Sequence, residues 1–110
     1  MTDKIIVLVA CGSIKEAKRL GSALVEARLA ACVNISTAPV ESIYRWKGRV
    51  ERAKEFLLLV KSTRKRFAAL RREIERLHSY DVPEIIALPI ADGSAGYLRW
   101  LGDSVQPKPR

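Results

Sequence analysis

Few side chains in this sequence are suited to catalysis or metal chemistry. The chain of 110 residues holds one histidine, His78, and two cysteines, Cys11 and Cys32. It has neither a Ser/His/Asp set nor a glycine-rich phosphate loop, so we predict that it is not an enzyme. By residue type alone, a cysteine that ends a buried strand most often fills the core, and a histidine at a helix end most often compensates the helix dipole.

The basic residues suggest a second kind of chemistry. The formal net charge is +8, which raises the question of a nucleic-acid or phosphate partner. The cations are spread over several elements and interleaved with glutamates, which favours a solvated surface. Lys61, Arg64, Lys65 and Arg66 surround the expected start of a helix, where a bound anion would relieve their repulsion with the helix dipole. A solvated basic patch is the simpler interpretation of that cluster.

Size and composition limit the class of protein. We predict a single domain over residues 1–110, with residues 106–110 as a tail, because the chain is too short for two ordinary domains. Two cysteines are too few for a disulfide scaffold and suit a reducing compartment, so we expect a cytoplasmic protein. No stretch approaches the roughly 18 apolar residues of a membrane span, so no membrane partner is expected.

The first half of the chain predicts a strand, a helix and a long hairpin. Residues 5–10 are apolar throughout and indicate a central strand. Ser13 and Glu16 form a capping-box pattern that opens a helix reaching to about Arg28. A second strand, interrupted at Pro39, runs to Trp46, and a turn at residues 47–48 leads into a third strand over residues 49–60.

The second half predicts a helix, a corner, a strand and a short helix. Ser62 or Thr63 can cap a second helix, whose apolar stripe is Phe67, Leu70, Ile74 and Leu77. Pro83 favours extended geometry before it, so that helix should end by about residue 81 and a fourth strand should cover residues 84–90. Residues 92–93 form a turn, and a short helix follows from about residue 94.

This order of elements predicts an α+β, ferredoxin-like βαββαβ fold with both main helices on one face of an antiparallel sheet. Right-handed crossovers then place Cys11, the hairpin turn and His78 at one end of the sheet and Cys32 at the other. An intramolecular disulfide is therefore not expected, because the sulfurs would be roughly 15–20 Å apart. The open face would carry continuous apolar runs, which a partner subunit would cover, so we predict an obligate homo-oligomer.

Six segments together resemble the CutA family of divalent-cation tolerance proteins; they are residues 7–13, 28–34, 42–48, 57–62, 78–89 and 97–101. The resemblance spans about residues 5 to 105. It implies a ferredoxin-like protomer, a stable homotrimer built by sheet-edge pairing, a likeness to PII-type signalling trimers, and a role in tolerance of copper and other divalent ions. One departure is that Ser79 stands where the family usually has proline, which should loosen the corner around His78.

The resemblance also implies site residues. The family's copper ligands match Cys11 and His78, and a thiolate with an imidazole suits copper or zinc. Two ligands do not close a site, which normally takes four, and the family's further histidine is matched here by Leu77, which cannot ligate.

An inter-subunit cleft near the end of the sheet that holds Cys11 and His78 is a further candidate site. Its candidate residues are Tyr44, Trp46, Tyr80 and Lys61. Ordinary aromatic packing at an interface is the simpler interpretation.

We therefore predict a CutA-like homotrimer that binds copper or another divalent metal. The alternative is a PII-like sensor trimer that binds a small anionic ligand in the cleft. A nucleic-acid partner is not expected, because the central strands present aliphatic side chains where RNA-binding relatives of the fold present aromatics. No other protein partner is indicated.

Overall fold

The computed structural model describes residues 1–108, so Pro109 and Arg110 of the predicted tail lie outside the described residues. The elements in chain order are β1 (Lys4–Cys11), α1 (Ile14–Glu26), β2 (Cys32–Ile35), β3 (Val40–Trp46), β4 (Arg49–Thr63), α2 (Phe67–Leu77), β5 (Ile85–Pro89) and α3 (Ala95–Ser104), with a 3₁₀ turn (Arg64–Arg66) before α2. The order confirms the predicted α+β fold.

The sheet is antiparallel, with strands in the order β2-β4-β1-β5 and β3 paired to the outer part of β4. Along β1, Ile5, Val7, Val9 and Cys11 alternate toward a core that α1 and α2 cover. This alternation follows from the period of two in a strand, and it leaves the intervening side chains on the other face. The core therefore lies between one sheet face and two helices.

The first helix begins as predicted, but only half of the capping box forms. Ser13 Oγ accepts a hydrogen bond from the backbone N–H of Glu16 at 3.1 Å. The Glu16 carboxylate does not return to Ser13; it accepts a hydrogen bond from the backbone N–H of Ser79 at 2.8 Å. Glu16 therefore joins the start of α1 to the corner after α2.

The predicted second strand is two strands. The chain leaves the ladder after β2, where Pro39 has no N–H to donate, and it pairs with β4 again from Val40 onward. The β3–β4 hairpin thus extends past the body of the sheet. Its turn uses Lys47 and Gly48 with φ of 52° and 79°, as a two-residue hairpin turn that follows the strand twist requires.

The predicted cap of α2 is wrong. The strand β4 continues to Thr63, three residues further than expected, and a 3₁₀ turn leads into the helix. Ser62 lies within this strand, is fully buried, and donates a hydrogen bond from Oγ to the Leu29 carbonyl at 2.7 Å. Thr63 makes no side-chain capping bond.

The last helix corrects a second expectation, that helices cover one face only. Lys4 and Lys61 lie on the face opposite the main core, because they alternate with core residues along β1 and β4. Lys4 packs closely against Gly102, and Lys61 Nζ lies 5.9 Å from the ring centroid of Tyr97. The helix α3 therefore covers one end of the second face. Its Leu101 is buried with Ala31 and Val105.

We expect Ser62→Ala to lower the free energy of unfolding by about 1–3 kcal/mol, because it leaves the buried Leu29 carbonyl without its donor. Ser104→Ala is the matched control, since Ser104 Oγ donates to the Trp100 carbonyl over the same 2.7 Å at the surface. Its loss should cost at most about 0.5 kcal/mol. Urea titrations at one protein concentration measure both. Equal losses in the two variants would contradict the role assigned to Ser62.

Candidate functional site

The structure brings the two predicted metal ligands together. Cys11 is the last residue of β1, and His78 is the first residue after α2. Cys11 Sγ lies 3.8 Å from His78 Nε2, and both residues are buried. Cys32 lies at the other end of the sheet, and both cysteines are free.

Both ring nitrogens of His78 are engaged. The Nε2 atom lies 2.7 Å from the Ala10 carbonyl oxygen, and Nδ1 lies 3.1 Å from the backbone nitrogen of Tyr80. The Tyr80 N–H can only donate, so Nδ1 accepts; the Ala10 carbonyl can only accept, so Nε2 carries the proton. These partners assign the neutral imidazole with its proton on Nε2, and neither nitrogen has a free lone pair for a metal ion.

Cys11 is held as a thiol. Burial, together with the nearby carboxylates of Glu16 and Glu55, raises the pKa of Cys11 to about 12. The thiolate is the form that ligates metal ions. Residues 1–108 contain no group of three or more His, Cys, Asp or Glu side chains placed to hold one. In this arrangement Cys11 and His78 therefore do not fit a metal centre.

Ser79 secures the corner after α2 through a hydrogen bond that a proline at this position could not make. A proline has no N–H, whereas the Ser79 N–H donates to the buried carboxylate of Glu16. Burial opposes ionisation of Glu16, but the hydrogen bonds from Ser79 and the positive charge of Arg19 hold the pKa of Glu16 below its ordinary value. The corner is therefore fastened to α1 through a charge-assisted hydrogen bond.

Three of the four predicted cleft residues do lie together. Tyr44, Trp46 and Tyr80 line a cavity of about 710 Å³ between the β3–β4 hairpin and the corner after α2, which we call the hairpin cavity. Lys61 is not brought there. It lies opposite Ile6 on β1 and Cys32 on β2, toward the other end of the sheet.

Three acidic residues of the hairpin cavity were missed by the sequence analysis: Glu55, Asp81 and Glu84. Glu55 is 9% exposed and accepts a hydrogen bond from the Tyr80 hydroxyl at 2.9 Å. Burial and the Glu55 carboxylate together raise the pKa of Tyr80, so its hydroxyl stays protonated and donates. Asp81 and Glu84 lie on either side of Pro83, a few residues after the histidine. This acidic pair is a sequence signal that could have identified the wall of the hairpin cavity.

Ser79→Pro should destabilise the fold by about 1–3 kcal/mol at pH 7, because it removes the donor to buried Glu16. His78 has ψ of 142°, which a following proline accepts. Because the pKa of Glu16 is lower in the folded state than its ordinary value of 4.5, ionised Glu16 stabilises the fold at any pH above 4.5. That stabilisation is lost as the pH falls through the pKa of the folded state.

The deficit of Ser79→Pro should therefore shrink as the solution is acidified below the ordinary pKa of glutamate. Ser79→Ala is the control, since it keeps the N–H and removes only the hydroxyl, so its deficit should be clearly smaller than that of the proline variant. Urea unfolding from neutral to acidic pH measures the difference. A deficit that does not change with pH, or an equal deficit in the alanine variant, would contradict the role of this bond.

Comparisons with known proteins agree with this architecture. A family model described as CutA1 divalent ion tolerance protein matches residues 5–104. The divalent-cation tolerance protein CutA of Thermus thermophilus is 50% identical over 99 residues, which are 90% of this chain and 95% of the relative.

Solved structures also match this chain over nearly its whole length. One of the divalent cation tolerance protein from Thermus thermophilus matches with a TM-score of 0.91 at 48% identity, covering 94% of this chain and 99% of the other. One described as the periplasmic divalent cation tolerance protein CutA of Archaeoglobus fulgidus matches with a TM-score of 0.90 at 38% identity, over 94% and 99% of the two chains. With sequence and fold matched along nearly its whole length, this chain belongs to the CutA family of divalent-cation tolerance proteins.

Proposed function

We propose that this chain acts in tolerance of divalent cations as a homotrimer, without an enzymatic step. The observation that carries the proposal is the match of sequence and fold to divalent-cation tolerance proteins over residues 5–104. The cytoplasm remains our predicted compartment, although the Archaeoglobus relative is described as periplasmic. None of the helices in residues 1–108 is long and apolar enough to cross a membrane.

Assembly is supported by the part of the second sheet face that α3 leaves uncovered. Leu8 of β1 lies opposite Leu59 of β4 and Ile86 of β5, and Ile6 lies opposite Leu88. Leu59, Ile86 and Leu88 are 39%, 47% and 46% exposed. These side chains form one apolar patch across three strands, of the kind that marks a subunit interface.

Direct binding of copper or another divalent metal by Cys11 and His78 stays a prediction that this arrangement disfavours. Binding there would require the imidazole to release the Ala10 carbonyl or the Tyr80 amide, and the thiol to lose a proton. The proposed role in tolerance therefore does not depend on this pair as a metal centre.

The alternative of a PII-like sensor for a small anion also stays a prediction. Within one protomer the hairpin cavity has three carboxylates in its wall and no lysine or arginine, so an anion there would need cations from a neighbouring subunit. A nucleic-acid partner is not part of the proposal, because the uncovered sheet patch presents aliphatic side chains for which bases have no stacking partner.

Leu88→Asp should convert the trimer to monomer at micromolar concentration, because it places a charge in the apolar patch. Val25→Asp is the matched control. Val25 is 41% exposed but lies on α1, away from this patch, so its variant should remain trimeric. Sedimentation velocity measures the mass. A wild-type monomer at this concentration would overturn the proposed assembly, and a trimeric Leu88→Asp variant would exclude this patch as the interface.

Copper calorimetry tests the predicted metal pair. We expect Cys11→Ser with His78→Ala to retain the wild-type affinity within about threefold, because neither side chain presents a free ligand atom. Circular dichroism checks that the variant is folded. A loss of affinity of about tenfold or more would instead establish the pair as the site and show that both hydrogen bonds of His78 open.

A further inference from the structure

We propose that the outer surface of the helix layer binds a linear polyphosphate. We define the helix layer as residues 14–28 and 64–77, which comprise α1, the residues up to Arg28, the 3₁₀ turn and α2. It covers the face of the sheet opposite the apolar patch, so assembly through that patch leaves the layer accessible. This inference goes beyond divalent-cation tolerance and does not depend on it.

Most of the excess positive charge of the protein lies in the helix layer. Its two segments hold ten lysines and arginines against four glutamates, which accounts for +6 of the formal net charge of +8. The remaining residues, which make up most of the chain, are close to neutral by comparison. Like charge that is concentrated on one surface attracts anions to that surface.

Few of these cations are neutralised within the protomer. Two intrahelical ion pairs use two of the ten cations and two of the four glutamates; they are Arg71–Glu75 and Arg76–Glu73. Glu16 is buried, which leaves Glu26 as the one other exposed glutamate of the layer. The other eight cations form no ion pair among residues 1–108, so the layer has positive charge to offer an external partner.

The two helices arrange these cations along one surface. They run antiparallel, because Glu16 near the start of α1 meets Ser79 after α2, and Arg28 after α1 meets Arg66 before α2. Since α1 has 13 residues, this surface is about 20 Å long. Lys15 lies at one end of it, and Arg28 and Arg66 lie at the other. A linear polyanion laid along the helices would therefore contact cations over the whole length.

Arg66 is under-bonded within the protomer. Its Nη2 donates to the Arg28 carbonyl at 3.5 Å, and its Nε is buried and has no acceptor among residues 1–108. The Arg28 guanidinium makes one hydrogen bond in the same part of the chain, from Nε to the Gln106 carbonyl at 3.0 Å. A guanidinium has five N–H donors and binds phosphate oxygens in pairs, so both arginines retain donors for a phosphate.

The composition of the helix layer favours polyphosphate over nucleic acid or a membrane. Its only aromatic residue, Phe67, packs against the core, so bases would have no stacking partner. Its one exposed large apolar side chain is Val25, which is too little for insertion into a bilayer. Polyphosphate needs neither contact, and its charges lie on directly adjacent units that suit a dense set of cations.

Polyphosphate labelled at one end with a fluorophore tests the proposal on the full chain through its anisotropy. We expect saturable binding whose logarithmic association constant falls linearly with the logarithm of the salt concentration. Tripolyphosphate should compete at least about tenfold more weakly per phosphate, because it spans only part of the surface. Polyuridylate and phosphatidylglycerol vesicles should also compete at least about tenfold more weakly per phosphate.

Lys65→Gln with Arg72→Gln should weaken polyphosphate binding by about tenfold and lower the slope of the salt dependence by about 2. Arg45→Gln with Lys54→Gln is the matched control, because it removes the same two charges from exposed positions on the β3–β4 hairpin. The control should keep the wild-type affinity within about threefold. Circular dichroism and sedimentation check that both variants keep the fold and the assembly.

The proposal is overturned if the wild type shows no saturable binding, if tripolyphosphate competes equally per phosphate, or if both double variants lose affinity equally. Polyuridylate or vesicles that compete as well as polyphosphate would also overturn it and would identify nucleic acid or a membrane as the occupant. The competition experiments use the wild-type protein, so they decide the proposal even if a variant fails to fold.

Discussion

The imidazole of His78 connects two parts of the fold that are distant in the sequence. Through Nε2 it holds the Ala10 carbonyl at the end of the central strand, and through Nδ1 it holds the Tyr80 amide in the corner after α2. The Tyr80 ring lies 4.7 Å from the imidazole, and its hydroxyl reaches Glu55 on β4. One neutral histidine thus aligns the strand end, the corner and the cavity wall.

These contacts indicate a structural role for the buried pair of Cys11 and His78. The thiol of Cys11 fills the space beside the imidazole and remains protonated, while Glu16 secures Ser79 from the start of α1. Burial and internal hydrogen bonds satisfy these groups, whereas Asp81 and Glu84 in the wall of the neighbouring cavity are exposed to solvent. The pair therefore supports the corner that forms one side of the cavity.

Much of the fold could be predicted from local signals. The apolar run of residues 5–10, the cap at Ser13 and the turn at Gly48 each determine an element by backbone chemistry alone. The topology then places Cys11 and His78 at one end of the sheet, as the structure shows. The hairpin turn, also expected at that end, lies beyond it, because β3 pairs only with the part of β4 that leaves the sheet.

Other features depend on tertiary contacts that no local pattern encodes. Ser62 has the residue type of a helix cap, but its register opposite Ile5 makes it a buried strand residue. The position of α3 follows from packing of Leu101 on a face that the pattern of the strands left open. Glu55 resembles a surface glutamate in sequence, and only the fold places it under Tyr80.

The hairpin formed by β3 and the outer part of β4 has a consequence for thermodynamic linkage. Most of the side chains of β3 are exposed, and a two-stranded ribbon is marginally stable in water by itself. Its order in a dilute protomer should therefore be lower than in an assembly that packs against it. Association of subunits through this ribbon would therefore be coupled to its ordering. Each would then strengthen the other by the same factor, as reciprocity of coupled equilibria requires.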